Sequence, residues 1–500
     1  MILRSTKFNK LIKHIMKKKL LSLLFLAIPM LTFAQEKGLD QKIDEAFKPI
    51  SDFFSSVIFF PIYKSESIEI PFVLLLLVGS AAFFTLYFKF PNIFHFKTAI
   101  NVVRGKYDEL DHHSAGSDLA VDGDIKGTIK DESEEGEVTH FQALATAVSG
   151  TVGNGNIAGV ALAIALGGPG ATFWMVICGF LGMSTKFVEC TLGVQYRDVG
   201  EDGTVYGGPM YYISKGLKER GFEMLGKIAA VIFAIFCIGG SFGGGNAAQS
   251  NQATVVLKEL LGLESTAAGA IIGVVLAIVV GIIIIGGIKR IATVTEKVVP
   301  FMAGLYVLAC LYILGANFSL IDDAFALIFR EAFNPTAIGV GGFIGVLLVG
   351  FKRAAFSNEA GAGSASIAHS AVKTKYSASE GLVALLEPFI DTVVICTMTA
   401  LVIIIFNFGG DASGATVFQY GGDGAGAVMI DGVAYEGAGI TSKAFAEYIP
   451  YSNVFLTVAV VLFAVSTMIS WSYYGLQSWK FLFGRGKAAD MAYKVLFLIF

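Results

Sequence analysis

The sequence predicts an all-α, multi-pass membrane protein. The 500-residue chain is 54% hydrophobic and only 15% charged, and its mean hydropathy is +0.67. Soluble domains carry about 25% charged residues. Several apolar runs reach the roughly 20 residues that a helix needs to cross a bilayer. The composition therefore indicates a bundle of spanning helices, and the net charge of -3 favours no nucleic-acid partner.

The first 34 residues have the pattern of a secretory signal peptide. A run of lysines precedes an apolar stretch at 20–33, which is too short to span a bilayer. Thr32-Phe33-Ala34 then supplies residues that suit cleavage. We expect a signal peptide at 1–34 and a periplasmic N-terminal segment at 35–68, so that the mature N-terminus lies outside. An uncleaved anchor is the alternative.

Hydropathy predicts ten spans. They lie near 70–89, 141–166, 170–194, 227–255, 267–287, 300–317, 337–368, 381–406, 453–476 and from about 490. Basic residues concentrate in alternate loops, which are cytoplasmic by the positive-inside rule. The membrane domain should cover 69–500 with a core from about 140, and the chain ends in an apolar run, which predicts a further span. We expect an acidic cytoplasmic insert at 107–139 and a periplasmic loop at 407–452.

The predicted span 141–166 is interrupted at its centre by glycines and polar residues. These are Ser149, Gly150, Thr151, Gly153, Asn154, Gly155 and Asn156. A helix that unwinds in lipid loses backbone hydrogen bonds, which is tolerated only where the freed groups line a cavity or bind something. Glycine-interrupted spans are therefore typical of substrate and ion sites in secondary transporters. Close helix packing through small residues is the alternative.

A second glycine-rich interruption occurs at 339–345, within the predicted span 337–368. The topology sends 141–166 into the membrane from the cytoplasm and 337–368 from outside. Corresponding breaks in two inverted halves are a signature of inverted-repeat transporters. We expect Gly341, Gly342 and Phe343 to line the substrate site, with Phe343 or Ile344 limiting substrate size.

The first interruption suits a zwitterion and a cation. Free N–H groups at Asn154, Gly155 and Asn156 would attract a carboxylate, and we expect Thr151 and Gly153 to line the same site. Carbonyl groups freed at 149–152 are hard oxygen ligands that suit sodium. The predicted sodium ligands in this segment are Ser149, Gly150, Val152 and Asn156.

Ordered motifs extend from about residue 70 to the end of the chain. They include 155–161, 167–171, 207–212, 352–361, 389–392 and 471–475. Together they closely resemble the alanine or glycine:cation symporter family of the amino acid-polyamine-organocation superfamily. The resemblance implies a five-plus-five inverted-repeat transporter fold with discontinuous first and sixth core helices, preceded here by one extra span. It also implies sodium-coupled import of alanine or glycine.

The resemblance also implies roles for residues outside the two breaks. Ser466 and Thr467, on the eighth core helix, would add sodium ligands; hydrogen bonding within their own helix is the alternative. Gln249 would contact substrate, with an interhelical hydrogen bond as the alternative. We read the motif 352–361 as a gate or cytoplasmic hinge. From their spacing, two polar pairs, Lys186 with Glu189 and Glu387 with Asp391, are expected to be structural. The alternative for Glu387 and Asp391 is that one of them neutralises a cation or carries a proton.

The expected partners are a small neutral amino acid, co-transported sodium and the lipid of a bacterial inner membrane. We expect no organic cofactor and a functional monomer. Proton coupling is the first alternative, and an ion channel with a glycine-rich filter is a second. A membrane-embedded hydrolase using Ser366 and His369 is a third, although no acidic residue is evident to orient the histidine.

Overall fold

The computed structural model describes residues 39–65, 68–107, 136–263, 265–333, 342–409, 416–421 and 426–500. The predicted signal peptide, most of the acidic insert and Gly341 lie outside these ranges. The chain divides into two units, Met1–Phe60 with Ser265–Ala267 and Pro61–Glu264 with Ala268–Phe500. The described part of the first unit contains helix α1 (Leu39–Ile58).

The second unit is mainly helical in its described part. The chain continues with α2 (Phe72–Tyr87), α3 (Pro91–Phe94), α4 (Phe96–Val103), α5 (His140–Thr151), α6 (Val160–Gly167), α7 (Gly170–Gln195), α8 (Pro209–Glu219), α9 (Glu223–Phe242), α10 (Ala248–Leu261), α11 (Thr266–Ile284) and α12 (Gly287–Ala316). It then forms α13 (Ile321–Phe333), α14 (Gly342–Asn358), α15 (Ala365–His369), α16 (Ser377–Ala384), α17 (Leu386–Pro388), α18 (Thr397–Asn407), α19 (Ala438–Tyr448), α20 (Ser452–Phe483) and α21 (Lys487–Ile499).

Three π-helical segments and three short hairpins connect these helices. The π segments are Gly155–Gly159, Gly243–Ala247 and Phe389–Cys396, and a 3-10 turn covers Phe318–Leu320. Antiparallel strand pairs join β1 (Pro61–Lys64) to β2 (Glu69–Pro71), β3 (Asp198–Val199) to β4 (Val205–Tyr206) and β5 (Val428–Ile430) to β6 (Val433–Tyr435).

Six described helices are long and apolar enough to cross a membrane. They are Gly170–Gln195, Glu223–Leu261, Ala267–Ile284, Gly287–Ala316, Ser377–Asn407 and Ser452–Phe483. The bent pair His140–Thr151 and Gly155–Gly167 qualifies as a seventh span, and Phe72–Tyr87 is a shorter apolar helix. Helices therefore occupy all ten positions at which hydropathy predicts spans, although not all meet the length criterion.

The first predicted interruption is present in the structure. Helix α5 begins with a capping box, in which Thr139 accepts from the Gln142 backbone and the Gln142 side chain accepts from the Thr139 N–H. It ends at Thr151, and the chain resumes helical geometry after a bend of 54°. The break results from lost ladder bonds, because the Gly153 N–H donates to the Asn156 side chain at 2.9 Å instead of to a carbonyl one turn earlier.

The interruption predicted at 339–345 lies partly outside the described residues, which resume at Gly342. Its described part, from Gly342, belongs to the unbroken helix α14. The chain leaves helical geometry after Asn358, where Glu359, Gly361 and Gly363 have φ values of 53°, 94° and 81°. Glycine tolerates this left-handed region, and the Gly361 N–H donates to the Glu189 carboxylate at 2.6 Å. A long-range acceptor thus fixes the break at 359–364.

Tight helix packing surrounds both breaks. Helix α14 lies against α7, and a Cβ atom at Gly350 would lie 2.5 Å from the Ala171 carbonyl oxygen. Tyr306 of α12 is fully buried, and its hydroxyl group lies 2.8 Å from that of Thr399 on α18. Helix α5 contacts α12 and α20, and α6 contacts α14, so the α5 to α6 segment is held between helices from both halves of the chain.

Candidate functional site

The predicted sodium ligands of the first break and of helix α20 lie together. Because Gly153 donates elsewhere, the Ser149 carbonyl is free of its usual helical donor and accepts from the Thr467 hydroxyl at 3.1 Å. The Ser149 hydroxyl in turn donates to the Ser466 carbonyl at 2.7 Å. All three residues are buried. This contact joins the break to α20 through oxygen atoms alone, which is the chemistry a hard cation requires.

The Ser466 hydroxyl itself has a different arrangement. It donates to the Phe463 carbonyl of its own helix at 2.9 Å, as the alternative interpretation anticipated. Of these two neighbours, Thr467 is the one that directs its hydroxyl group across the helix interface. Thr467 also borders the break directly, since a Cβ atom at Gly153 would lie 3.0 Å from its hydroxyl oxygen.

A buried carboxylate lies on the other side of the break. Asp391, in the π segment Phe389–Cys396, accepts from the Asn156 amide at 2.6 Å and from the Thr392 and Ser357 hydroxyls at 2.7 and 2.8 Å. Asp391 and Asn156 are fully buried. Asn156 therefore links the break to helix α14 and to this π segment. The sequence analysis predicted that Asp391 pairs with Glu387, because the four-residue spacing between them was the only information available.

The predicted substrate residues of the first break face helix α10. The Asn154 amide donates to the Gln249 side-chain oxygen at 3.3 Å, and Gln249 donates to the Gly244 carbonyl at 3.1 Å. The Asn154 side-chain oxygen is buried without a partner among the described residues. Asn154 and Gln249 thus present amide groups beside the break, where a carboxylate or ammonium group of a small substrate can be bound.

The amide groups of the break differ in availability. The Gly153 N–H is bonded to the Asn156 side chain, and the Asn156 N–H donates to the Gly153 carbonyl at 3.0 Å. Of the amides expected to bind a carboxylate, that of Asn156 is therefore already occupied. The Thr151 hydroxyl group makes two long hydrogen bonds, of 3.4 and 3.5 Å, to carbonyl groups of its own helix.

Sequence reasoning missed the role of Arg353. Its guanidinium group fills the space in which Cβ atoms at Gly155 and Gly159 would lie. Its Nε and Nη2 atoms are buried and have no hydrogen-bond partner in the described ranges, and the group lies 5.1 Å from the centre of the Phe356 ring. Hydropathy assigned Arg353 to a cytoplasmic helix end. The two glycines, four residues apart, were the only sequence signal for a side chain packed against them.

A buried ion pair supports the second break. Lys186 of α7 lies 3.2 Å from Glu387, and both side chains are fully buried. Glu189 bonds the Gly361 N–H, and Glu359 accepts from the Ser364 hydroxyl. The expected pairing of Lys186 with Glu189 is thus replaced by a pair with Glu387, because the partner comes from a distant segment.

Gly342 and Phe343 are not brought to the site. Phe343 is 39% exposed and packs on Trp174 and Phe333. It precedes Ser357 by fourteen residues of continuous helix, which is about 21 Å along the axis. Gly341 lies outside the described residues.

The geometry does not support a hydrolase. The Ser366 hydroxyl donates to the Gly363 carbonyl at 2.7 Å, and the His369 Nδ1 atom lies 2.5 Å from Glu380. The Ser366 hydroxyl and the His369 imidazole are not hydrogen-bonded to each other, so the described residues contain no serine–histidine dyad at this position. A nucleophile needs a base within hydrogen-bond reach.

Comparison with known proteins agrees with the geometry. The sodium:alanine symporter family matches residues 59–500. The sodium/alanine symporter AgcS of Methanococcus maripaludis is 40% identical over 83% of this chain and 81% of its own. The putative sodium/proton-dependent alanine carrier protein YrbD of Bacillus subtilis is 37% identical over 74% of this chain and 72% of its own.

A manganese transporter from Eremococcus coleocola overlays on 78% of this chain and 74% of its own, with a TM-score of 0.47 and 13% identity. At that level of similarity the overlay gives no information on function. The family match covers most of the chain, including every residue of the site described above. The chain therefore belongs to the sodium:alanine symporter family and is a multi-pass, cation-coupled amino-acid transporter rather than an enzyme.

Proposed function

We propose that the chain is a sodium-coupled symporter that imports a small neutral amino acid, alanine or glycine, by alternating access. The observation that carries the proposal is the break in the first core helix. Its Ser149 carbonyl accepts from Thr467 across the interface with α20, and its Asn154 amide contacts Gln249 on α10. One short segment thus contributes to a cation site and to a substrate site.

Shared residues give a physical route to coupling. Asn156 belongs to the same short segment, and its side chain bonds the Gly153 N–H of the break and the Asp391 carboxylate. A cation that draws the carbonyls of 149–152 together would fix the same turn that holds the substrate. Each ligand would then reduce the ordering cost of the other, which gives positive cooperativity between sodium and amino acid.

The free energy available is sufficient for accumulation. One sodium ion moving through about 100 mV releases roughly 2.3 kcal/mol. Because 1.4 kcal/mol corresponds to a factor of ten, this supports about fortyfold accumulation of a neutral zwitterion. Uptake should therefore be electrogenic as well as sodium-dependent.

The proposed orientation places 35–68 and 407–452 in the periplasm and 107–139 in the cytoplasm of a bacterium, with the protein in the inner membrane. Its support is the distribution of basic residues among the loops. We further propose that the signal segment is cleaved after residue 34 and that the monomer is the working unit.

Uptake of labelled alanine into proteoliposomes tests the proposal. We expect saturable uptake that requires an inward sodium gradient, is stimulated by an inside-negative potential and is inhibited by excess glycine more than by leucine. Uptake driven equally well by a proton gradient without sodium would favour the proton-coupled alternative. Sodium flux that continues unchanged without any amino acid would favour a channel.

A further inference from the structure

A buried carboxylate between two histidines lies away from the transport site. Glu380 of α16 directs one oxygen to the His369 Nδ1 atom at 2.5 Å and the other to the His140 Nδ1 atom. Glu380 and His369 are fully buried, and His140 is 8% exposed. The three side chains come from the start of α5, the end of α15 and the first turns of α16. We propose that they form a proton-binding latch that joins these three segments.

Charge balance determines which form the latch prefers. A carboxylate only accepts hydrogen bonds, so both histidines must carry a proton on Nδ1. With two neutral imidazoles the buried group has a charge of minus one, which burial disfavours strongly. One further proton on an imidazole neutralises the cluster and turns one hydrogen bond to the carboxylate into an ion pair between two charged groups.

The extra proton is assigned to His140. The His369 Nε2 atom is buried and has no partner among the described residues. A proton there would become a buried donor without an acceptor, at a cost of about 1–3 kcal/mol. His140 is the more exposed imidazole of the two. The unperturbed pKa of histidine is about 6.5, so proton binding by the latch is tested between pH 6 and pH 8.

The charged groups around the latch form ion pairs or hydrogen bonds with residues other than the three of the latch. Lys186 pairs with Glu387, the Gln142 amide donates to Glu296 at 2.8 Å, and Arg197 donates to the carbonyls of Ser370, Val372 and Thr374. Burial raises the pKa of Glu137, which lies just before α5 and accepts from the Val205 N–H. Glu137 is therefore the neighbouring group whose titration must be separated from that of His140.

The latch connects segments next to both breaks. His140 begins the helix that leads into the first break, and His369 ends the segment that follows the second. Cys190 of α7 is fully buried in a cluster with Ala147, Ala365 and Ala384, which lie on the three helices that carry the latch residues. Opening of the latch exposes Cys190. Closure is linked to proton uptake, so low pH favours the closed latch and high pH favours opening.

Site-resolved alkylation of Cys190 in the reconstituted full chain tests the latch. Reaction with N-ethylmaleimide is followed by peptide mass spectrometry, and the rate at Cys190 is divided by that at Cys310, a buried cysteine in a different cluster. The ratio cancels the common loss of thiolate at low pH. If closure binds one proton, the equilibrium between the open and closed latch can change by about tenfold per pH unit. We therefore expect the ratio of the two alkylation rates to fall at least tenfold from pH 8 to pH 6. The His140→Gln variant should show a change of less than twofold.

Two further variants locate the proton, and two more serve as controls. His369→Gln should retain the pH dependence, because the proton resides on the other imidazole, whereas Glu380→Gln should abolish it. The matched controls are His95→Gln, at an exposed histidine, and Glu137→Gln; both should behave as the unaltered chain. A flat ratio in the unaltered chain, or pH dependence that survives in His140→Gln, overturns the proposal. The readout needs neither sodium nor alanine, so it stands apart from the proposed transport function.

Discussion

Replacing Thr467 should weaken sodium activation more than any other single change at the site. Its hydroxyl group is the one on α20 that reaches across to the break, where it donates to the Ser149 carbonyl at 3.1 Å. Removing one partner from such a buried contact costs about 1–3 kcal/mol. Since 1.4 kcal/mol is tenfold, the sodium concentration for half-maximal uptake should rise about fivefold to a hundredfold in Thr467→Ala.

The assay is the sodium dependence of alanine uptake in proteoliposomes at saturating alanine. Thr467→Ser keeps the hydroxyl group and should recover most of the affinity. Ser472→Ala is a matched control on the same helix, because that buried hydroxyl group donates to the Ile469 carbonyl of its own helix at 2.6 Å. Equal sodium dependence in Thr467→Ala, Ser472→Ala and the unaltered chain would refute the assignment and leave Thr467 as a packing residue.

Three more changes give distinct expectations. Asp391→Asn places an amide among the donors that surround this buried carboxylate, so alanine uptake should fall at least tenfold at unchanged expression; near-normal uptake would contradict a role in the site. Gly350→Ala introduces a Cβ atom 2.5 Å from the Ala171 carbonyl oxygen and should destabilise the fold by about 1–3 kcal/mol. The measurement is the melting temperature, which should be lower than that of the control Gly304→Ala, where no heavy atom lies within 4 Å of the added carbon. Phe343→Ala should leave substrate selectivity unchanged in a competition panel, since the side chain lies far from the break; uptake of leucine by this variant would restore the size-limiting role expected from the sequence.

The first break was predictable because its signal is local. Glycines and asparagines cluster within a few residues of an apolar run, and the break follows from a single local bond between Gly153 and Asn156. The contact with Thr467 was also anticipated, although only through the family resemblance. Positions fixed by composition over a short window are those at which sequence reasoning succeeds.

The break at 359–364 was not predicted because two glycine-rich stretches compete in that region. Periodicity cannot distinguish 339–345 from 359–364, and the charged residues near Arg353 suggested the end of a span. The position depends on the Glu189 carboxylate, more than 170 residues away, which binds the Gly361 N–H. Arg353 likewise occupies a space made by two glycines of another helix. The local sequence has no signature of the Glu189 contact, and the two glycines indicate that a side chain packs against them without identifying it as Arg353.

The three π-helical segments have a consequence for how this protein tolerates change in length. A π turn holds one more residue than the α-helical turn it replaces. Removing that residue restores an α-helical turn and keeps the direction of the side chains beyond it, whereas removing a residue from a regular α-helix rotates everything beyond it by about 100°. In the segment Phe389–Cys396, a one-residue deletion should therefore keep Thr399 facing Tyr306, to which it now bonds. The π segments of the described residues are thus the positions at which these helices can lose one residue without changing which side chains meet further along.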